Sequence, residues 1–396
     1  MPEIKNLKKL ANRILKAIAN HERIILYADS DLDGTVALMT LKESIGNLGG
    51  DPPSLYFSDR RQEEPGLNET ALDFLKDKAP ALLITIDCGI SNFKEVKLAK
   101  KIGFEVLMIE HHEVLDRLPE AAIIVNPKQE KGNDGFRDLA TAGIAFKLAE
   151  LLLGGNLSGS LREDLLGLTA LATIADMVPE TGENQLLVSE GLIYLENSWR
   201  PGLQALFESS VIAGRRPDIS LGAISRRLST REMVHKMVTI VNITDKEGDW
   251  GEVYLLLTSR SIEEAKLRFE KFLQKGAERQ VKIEAGVDEF KKIALFQKDA
   301  PLIFEGKADL PQSLLGSITS RLCLSFDKPT FIYKITEKEN IGHYRMPDGS
   351  SGIKAIGSCS KLVRRYGGHA AAGGFYFQEK NAERLKQCLT KYFLKK

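Results

Sequence analysis

The segment IILYADSDLDGTVAL, residues 24–38, constrains the fold more than any other stretch of the chain. Five apolar residues, Ile24–Ala28, form a strand that has to be buried on both faces. Asp29, Asp31 and Asp33 follow at once, then Gly34 and a helical run from Thr35 to Ile45. A strand passing straight into a helix in this way is the unit of an open parallel sheet, where functional groups collect at the carboxyl ends of strands. Three carboxylates this close repel one another when ionised, so without a cation they destabilise the site or stay protonated. A hard divalent ion resolves the conflict. Capping the helix needs one aspartate, not three. The pattern also differs from an EF-hand loop, which requires a preceding helix and a later bidentate glutamate.

The same geometry recurs downstream. Leu55–Phe57 is a short strand. Leu82–Ile86 (LLITI) ends in Asp87 and precedes a helical segment, Asn92–Ile102. Glu105–Ile109 (EVLMI) ends in Glu110, His111 and His112, and Ala122–Val125 is a further strand. Adjacent histidines point in different directions, so one can bind metal while the other faces substrate. His111 is read as the ligand, with the Glu110 carboxylate fixing its ring. Helices dominate from Ala140 to about Val178, and Asp176 closes the apolar run LLGLTALATIAD. A carboxylate at a helix C-terminus opposes the helix dipole, and a bound cation would offset this. Carboxylates with imidazole, and no cysteine among the candidates, suit Mn²⁺ or Mg²⁺ better than Zn²⁺. Two such ions serve in-line displacement at phosphorus.

Composition excludes some alternatives. Lys+Arg is 55 and Asp+Glu 54, a net charge of +1, so any nucleic-acid contact must come from a local patch rather than bulk charge. Cys88, Cys323, Cys359 and Cys388 are scattered without a C-x-x-C pair and read as reduced thiols of a cytosolic protein. Leu7, Leu10, Ile14 and Ile18 recur at helical spacing, which makes the basic N-terminus an amphipathic helix rather than a targeting segment. No apolar run is long enough to span a bilayer, and the expectation is a soluble cytoplasmic protein without membrane contact.

From about Pro179 to Gly286 the pattern is mainly helical. It includes a charged stretch, Ser261–Glu284, that reads as a solvated helix bridging domains. A third region begins near Val287, with strands expected at Lys292–Phe296, Leu302–Phe304 and Thr330–Lys334 and helices near Gln312–Cys323 and Ala382–Phe393. Between them lies LVRRYGGHAAAGGFYF. Here Gly367, Gly368, Gly373 and Gly374 flank His369, with Arg364 and Arg365 just before. Glycines let a backbone approach a ligand and offer N–H groups to phosphate; a tight turn against a helix is the plainer reading.

Taken together, these residues resemble the DHH phosphoesterase superfamily, in its RecJ-like single-strand exonuclease branch, over nearly the whole chain. Asp29-Ser-Asp31-Leu-Asp33-Gly34 resembles the first motif and Asp87-Cys-Gly-Ile the second. Glu110-His111-His112 stands where the family has Asp-His-His. Asn126-Pro127, Ala140-Thr-Ala-Gly143 and Thr173-Ile-Ala-Asp176-Met-Val-Pro179 resemble later segments. Leu315–Arg321 and Gly367–Phe375 resemble the associated DHHA1 domain.

The resemblance implies an α/β chain in three parts: a parallel-sheet DHH catalytic lobe (1–190), a helical connector (191–285) and a smaller α/β DHHA1 lobe (286–396), with the active site in the cleft between lobes. It implies two divalent ions, Mn²⁺ ahead of Mg²⁺, held by Asp29, Asp31, Asp33, Asp87, His111 and Asp176, with Glu110 behind them. Asp31, Asp33, Asp87 and His112 would be catalytic, His112 at the scissile phosphate. Arg345, Arg364, Gly367, Gly368, His369 and Asn126 would bind substrate. The implied activity is 5′-to-3′ hydrolysis of single-stranded DNA, ahead of RNA, in repair and recombination beside replication and repair proteins. Hydrolysis of oligoribonucleotides or cyclic dinucleotides, and a catalytically weak replication scaffold, are the alternatives. Oligomeric state is not readable.

The departures are Glu110 in place of Asp, where the extra methylene would shift His111, a loop Tyr56–Asn68 without the usual Gly-Tyr-Gly, and a Val241-Asn242 region without the family's arginine and glycines. The oligonucleotide-binding barrel of longer relatives does not follow the glycine-rich domain, which predicts weaker or less processive binding.

Overall fold

The computed structural model describes residues 3–58, 66–114, 117–129, 135–213, 228–242, 246–296 and 300–394. Most of the Tyr56–Asn68 loop lies outside the described residues. Packing divides the chain into two units, Met1–Leu273 and Gln274–Lys396.

The first unit begins with α1 (Leu7–Ala19), β1 (Ile24–Ala28), α2 (Leu32–Asn47) and β2 (Ser54–Phe57). It continues through α3 (Glu69–Leu75), β3 (Ala81–Ile86), α4 (Phe93–Ile102), β4 (Phe104–Ile109) and β5 (Ile123–Val125). The five strands form one parallel sheet in the order β2-β1-β3-β4-β5. Successive residues of β1 face opposite ways. Ile24, Leu26 and Ala28 join the core that contains α1 and α2, while Ile25 and Tyr27 pack with Leu72, Leu75, Val96 and Ala99 of α3 and α4. Both faces are therefore covered, which is why the strand sequences are apolar throughout rather than alternating.

Helices α5 (Thr141–Leu153), α6 (Gly159–Asp176) and α7 (Glu183–Leu195) come next, followed by α8 (Pro201–Glu208), α9 (Ser210–Ala213) and α10 (Thr230–Val241). A small hairpin, β6 (Lys246–Glu247) with β7 (Trp250–Gly251), leads into α11 (Glu252–Leu257). Helix α2 packs against α5 and α6. Its residues from Leu32 to Leu41 are buried without a break, and each fully buried leucine there contributes roughly 1.5–3 kcal/mol. The segment expected as a connector shares this core: Leu195, Leu203, Leu206, Val234, Met237 and Leu256 all belong to it.

Helix α12 (Ile262–Phe296) carries the charged stretch, and the boundary between the units falls within it. It also absorbs Lys292–Phe296, which corrects the expected strand. Phe290 and Ala294 are buried whereas Ile293 and Leu295 are exposed, so the run is read at helical period. A short apolar run does not distinguish the two conformations.

The second unit adds β8 (Ile303–Lys307), α13 (Leu315–Phe326), β9 (Thr330–Lys334), β10 (Asn340–Arg345), α14 (Gly352–Ser358), β11 (Arg365–Gly368), β12 (Ala372–Phe377) and α15 (Ala382–Leu394). Its sheet runs β11-β12-β10-β9-β8, with β8 parallel to β9 and the other pairs antiparallel. Phe290, Ile318 and Leu322 of α12 and α13 pack on Ile332. On the opposite face Phe331, Phe375 and Phe377 meet Leu385 and Leu389 of α15.

The reading of four reduced cysteines is corrected here. Cys359, just after α14, is disulfide-bonded to Cys388 of α15, and only Cys88 and Cys323 are free. The pair is 29 residues apart in sequence and is joined by the packing of α14 on α15, which no local spacing reveals.

Candidate metal centre

Four chain segments deliver acids and histidines to the carboxyl end of the first sheet. Asp29 follows β1 directly and is buried; its Oδ1 accepts from the Ser30 backbone N–H at 2.7 Å and from Ser58 Oγ at 3.3 Å. Asp31 caps α2 by accepting from Gly34 N–H at 3.0 Å. A side chain at position 34 would meet the Asp29 carbonyl oxygen at 2.5 Å, so only glycine lets the helix start this close to the strand end. Asp33, in the first turn of α2, is buried and accepts the Thr141 and Ala142 N–H groups at 2.8 Å each. These are donors of the first turn of α5, where the helix dipole favours a carboxylate.

Asp87 follows β3 in a left-handed conformation, φ 60°. Its Oδ1 accepts from Thr141 Oγ1 at 2.8 Å and lies 3.4 Å from His111 Nε2. Asp176 is the last residue of α6, which Met177 terminates at φ 57°. Its Oδ2 is shielded from solvent, accepts no hydrogen bond among the described residues and lies 3.5 Å from His111 Nε2.

The site's electrostatics are unfavourable for bare carboxylates. Burial, reinforced by the charge of Asp31, raises Asp33 from 3.8 to about 7. Burial and then the charges of Asp31 and Asp33 push Asp87 well above the ordinary range. Burial and then Asp33 do the same to Asp176. This is the signature of a site built around a cation.

The donors fit divalent ions. Ligand atoms of Asp29, Asp31 and Asp87 lie within 4.8 Å of one another, and so do those of Asp33, Asp87 and His111. The two triads share Asp87, so these residues would hold two neighbouring divalent ions, which would supply charge neutralisation for displacement at phosphorus.

Glu110 takes a place the sequence did not foresee. Its Oε2 accepts from the backbone N–H groups of His111 and His112 at 2.8 Å each and from His112 Nδ1 at 2.9 Å. It therefore fixes the ring of His112, not that of His111, which corrects the expected pairing. The extra methylene lets the side chain fold back over its own backbone. Desolvation is the largest single effect on both partners and works against ionisation, yet the Glu110 charge, its hydrogen bond and the charge of Asp176 together outweigh it and raise His112 to about 9. Glu110 is itself lowered, since the attraction and hydrogen bonds of His112 exceed the cost of burial.

Asn126, expected to bind substrate, makes contacts within the protein. It is fully buried, donating Nδ2 to the His112 carbonyl at 2.9 Å and accepting Lys128 N–H on Oδ1 at 2.8 Å. Both of its side-chain polar atoms are thus engaged by backbone groups. Thr141, Ser58 and Lys128 were missed. Lys128 has a side chain only 5% exposed, pairs with Glu113 at 3.4 Å, and its charge opposes the upward shifts of Asp176 and His112. The signal for Thr141 was the helix start after Ala140, whose N–H groups must go somewhere.

In the second unit, Arg345 ends β10. Burial lowers its guanidinium below the usual value, and among the described residues no carboxylate pairs with it. Arg364 pairs with Glu339 at 3.4 Å, and Arg365 reaches the same carboxylate at 3.1 Å. Gly367 and Gly368 lie on β11, and His369 in the turn to β12 donates its N–H to the Ala372 carbonyl at 2.7 Å. Gly368 has φ 122°, and a Cβ there would stand 2.4 Å from Gly373 Cα, so this glycine is required by the close hairpin.

Comparison with known proteins places these features. Residues 23–173 match the model of the DHH family, N-terminal domain. The single-stranded-DNA-specific exonuclease RecJ of Bacillus subtilis is 31% identical over 98% of this chain and 48% of its own length. The exonuclease of the same name from Thermus thermophilus is 27% identical over 95% of this chain and 53% of its own length. The chain thus spans about half the length of these relatives. The crystal structure of RecJ in complex with Mn²⁺ from Thermus thermophilus superposes with a TM-score of 0.79 at 24% identity, covering 99% of this chain and 55% of that one. A structure of exonuclease RecJ bound to manganese gives 0.75 at 24% identity, covering 100% of this chain and 96% of that one. These likenesses establish the shared α/β fold. Among the described residues, no helix is long and apolar enough to cross a membrane.

Proposed function

We propose that this chain, whose residues 23–173 form a DHH-family N-terminal domain, is a metal-dependent phosphodiesterase that hydrolyses single-stranded DNA from the 5′ end. The observation that carries the reading is the pair of ligand triads sharing Asp87. Asp29, Asp31, Asp33, Asp87, His111 and Asp176 would hold two divalent ions, Mn²⁺ ahead of Mg²⁺. The ions, when bound, supply the charge neutralisation and Lewis acidity that in-line displacement at phosphorus needs.

The remaining steps belong to the protein's own groups. His112, raised to about 9, carries a proton at neutral pH and presents a cation for the scissile phosphate. Glu110 and Asn126 hold it in place. Thr141 clamps Asp33 and Asp87 at fixed separation through its N–H and hydroxyl. Gln274–Lys396 is taken as the DHHA1 lobe, with Arg345, Arg364, His369 and the glycine-rich hairpin gripping the strand. Arg345 supports this best, because a desolvated guanidinium without a carboxylate partner among the described residues suits a phosphate. The names of the relatives favour DNA over RNA, and work beside replication and repair proteins in the cytoplasm follows from the same reading.

Nucleotide release from 5′-labelled single-stranded DNA with Mn²⁺, native against Asp87→Ala, tests it. Mononucleotide release that disappears in the variant supports the assignment. Cleavage of dinucleotides but not of long strands would replace it with a small-substrate phosphodiesterase, and no cleavage of either would leave a scaffold.

A further inference from the structure

Trp250 is 42% exposed, and its ring lies parallel to that of Tyr254, with centroids 5.6 Å apart and planes 13° apart. Tyr254 is buried and packs on Phe57, centroids 5.3 Å apart. Phe57 is the last residue of β2, and the next residue, Ser58, donates to Asp29. A ladder of three rings therefore runs outward from the rim of the metal centre, and its outermost ring has one face covered by Tyr254. The ladder is anchored from below. A Cβ at Gly251 would sit 3.2 Å from the Phe57 ring, so β7 lies directly on it.

Cations line the same surface. Lys42 Nζ stands 5.8 Å from the Tyr254 ring centroid. Lys246 Nζ stands 4.8 Å from the ring of Tyr56, which stacks on Tyr27 of β1 at 5.1 Å. On the other side, Asn242 Oδ1 accepts the Leu32 N–H at 3.4 Å, one residue from Asp31. The chain on both sides of the hairpin is thus tied to the mouth of the site. An exposed aromatic face, rigidly backed and flanked by ammonium groups, is the chemistry that holds unpaired bases with their phosphates.

We propose that Trp250, backed by Tyr254 and Phe57 and flanked by Lys42 and Lys246, is a base-stacking subsite for single-stranded nucleic acid at the entrance to the metal centre. It rests on the reading of the chain as a single-strand nuclease.

The chain has two tryptophans, so Trp199→Phe leaves Trp250 as the sole indole reporter. That variant is titrated with oligothymidylate in EDTA, which permits binding without cleavage, following indole emission and the anisotropy of a labelled strand together. Quenching of Trp250 that saturates with the anisotropy is expected. Base–aromatic stacking of roughly 1–3 kcal/mol corresponds to a Kd about 5- to 150-fold weaker for Trp250→Ala, with Trp250→Phe recovering most of the loss. Strand binding without change in Trp250 emission, or Trp250→Ala binding as tightly as native protein, overturns the subsite and leaves the nuclease reading standing. A native protein that neither binds nor cleaves the oligonucleotide overturns both.

Discussion

Stripping the divalent ions from this protein and raising the pH sets its clustered carboxylates against one another. Asp33 titrates at about 7 when folded, against 3.8 for the unperturbed group. Below pH 3.8 it is protonated in both states and contributes nothing. Between 3.8 and 7 the unfolded chain ionises while the folded site keeps its proton, so stability falls as pH rises, and it levels off above 7. Three units at about 1.4 kcal/mol each amount to about 4 kcal/mol for Asp33 alone. His112, raised from 6.5 to about 9, adds stability below 6.5 that is lost through 9, so it acts in the same direction. Between pH 5 and pH 8 Asp33 accounts for about 3 kcal/mol of the fall and His112 for about 2 kcal/mol, so at about 2 °C per kcal/mol for a unit of this size the metal-free midpoint should drop by about 10 °C. Mn²⁺ binds the ionised carboxylates, so its stabilising increment should grow over the same interval. Thermal melts in EDTA and in millimolar Mn²⁺ at four pH values measure both. Asp33→Asn should flatten the metal-free slope and shrink the Mn²⁺ increment. A metal-free midpoint that is level or rises towards pH 8, or an unchanged slope in Asp33→Asn, would refute the reasoning.

Other consequences are independent of the metals. Arg200 is buried, with its guanidinium on Asp164 at 2.5 Å and Glu43 at 2.7 Å. Arg200→Ala should cost about 3–5 kcal/mol in chemical denaturation by leaving both carboxylates uncompensated, and a loss under 1 kcal/mol would show the cluster to be idle. Alkylation of the unfolded protein without reductant should label two thiols, Cys88 and Cys323, and four after reduction; four at the outset would contradict the cystine. Glu110→Gln should bring His112 from about 9 back towards 6.5, read by NMR titration of its ring, since the charge that raises it is gone. An unmoved titration would mean that another group sets the proton on His112.

The legible parts of the fold were those where one local pattern decides. The strand IILYA, buried on both faces, occupies Ile24–Ala28 as the sequence indicated, and Asp29, Asp31, Asp33, Asp87, His111 and Asp176 converge because each follows a strand end or closes a helix. The illegible parts depended on partners distant in sequence. Cys359 and Cys388 meet only once α14 packs on α15. Lys292–Phe296 reads as a strand until Phe290 and Ala294 turn towards Ile318 and its neighbours. The segment after residue 190 reads as a connector because of its mainly helical pattern and its charged stretch, Ser261–Glu284. Its apolar side chains also join the core that holds α2 and α6, which local pattern does not reveal.

Glu110 shows why even a correctly located site residue can have its partner misjudged. Sequence order places it before His111, and a carboxylate behind a ligating histidine is a common arrangement. The backbone after β4, however, turns so that the N–H groups of His111 and His112 both point at the carboxylate, while Ile90 N–H approaches its other oxygen at 3.4 Å. Three backbone donors and one imidazole nitrogen stabilise the buried anion against desolvation, which is why Glu110 is lowered where Asp33, Asp87 and Asp176 are raised. The same bonds leave the His111 ring facing Asp87 and Asp176. An aspartate, one methylene shorter, would have to give up some of this reach, so Glu110→Asp should keep the His111 ligand set but loosen His112. That separates the two histidines experimentally: Mn²⁺ affinity by calorimetry should hold within a few fold while turnover falls, and a parallel loss of both would show that Glu110 also positions His111.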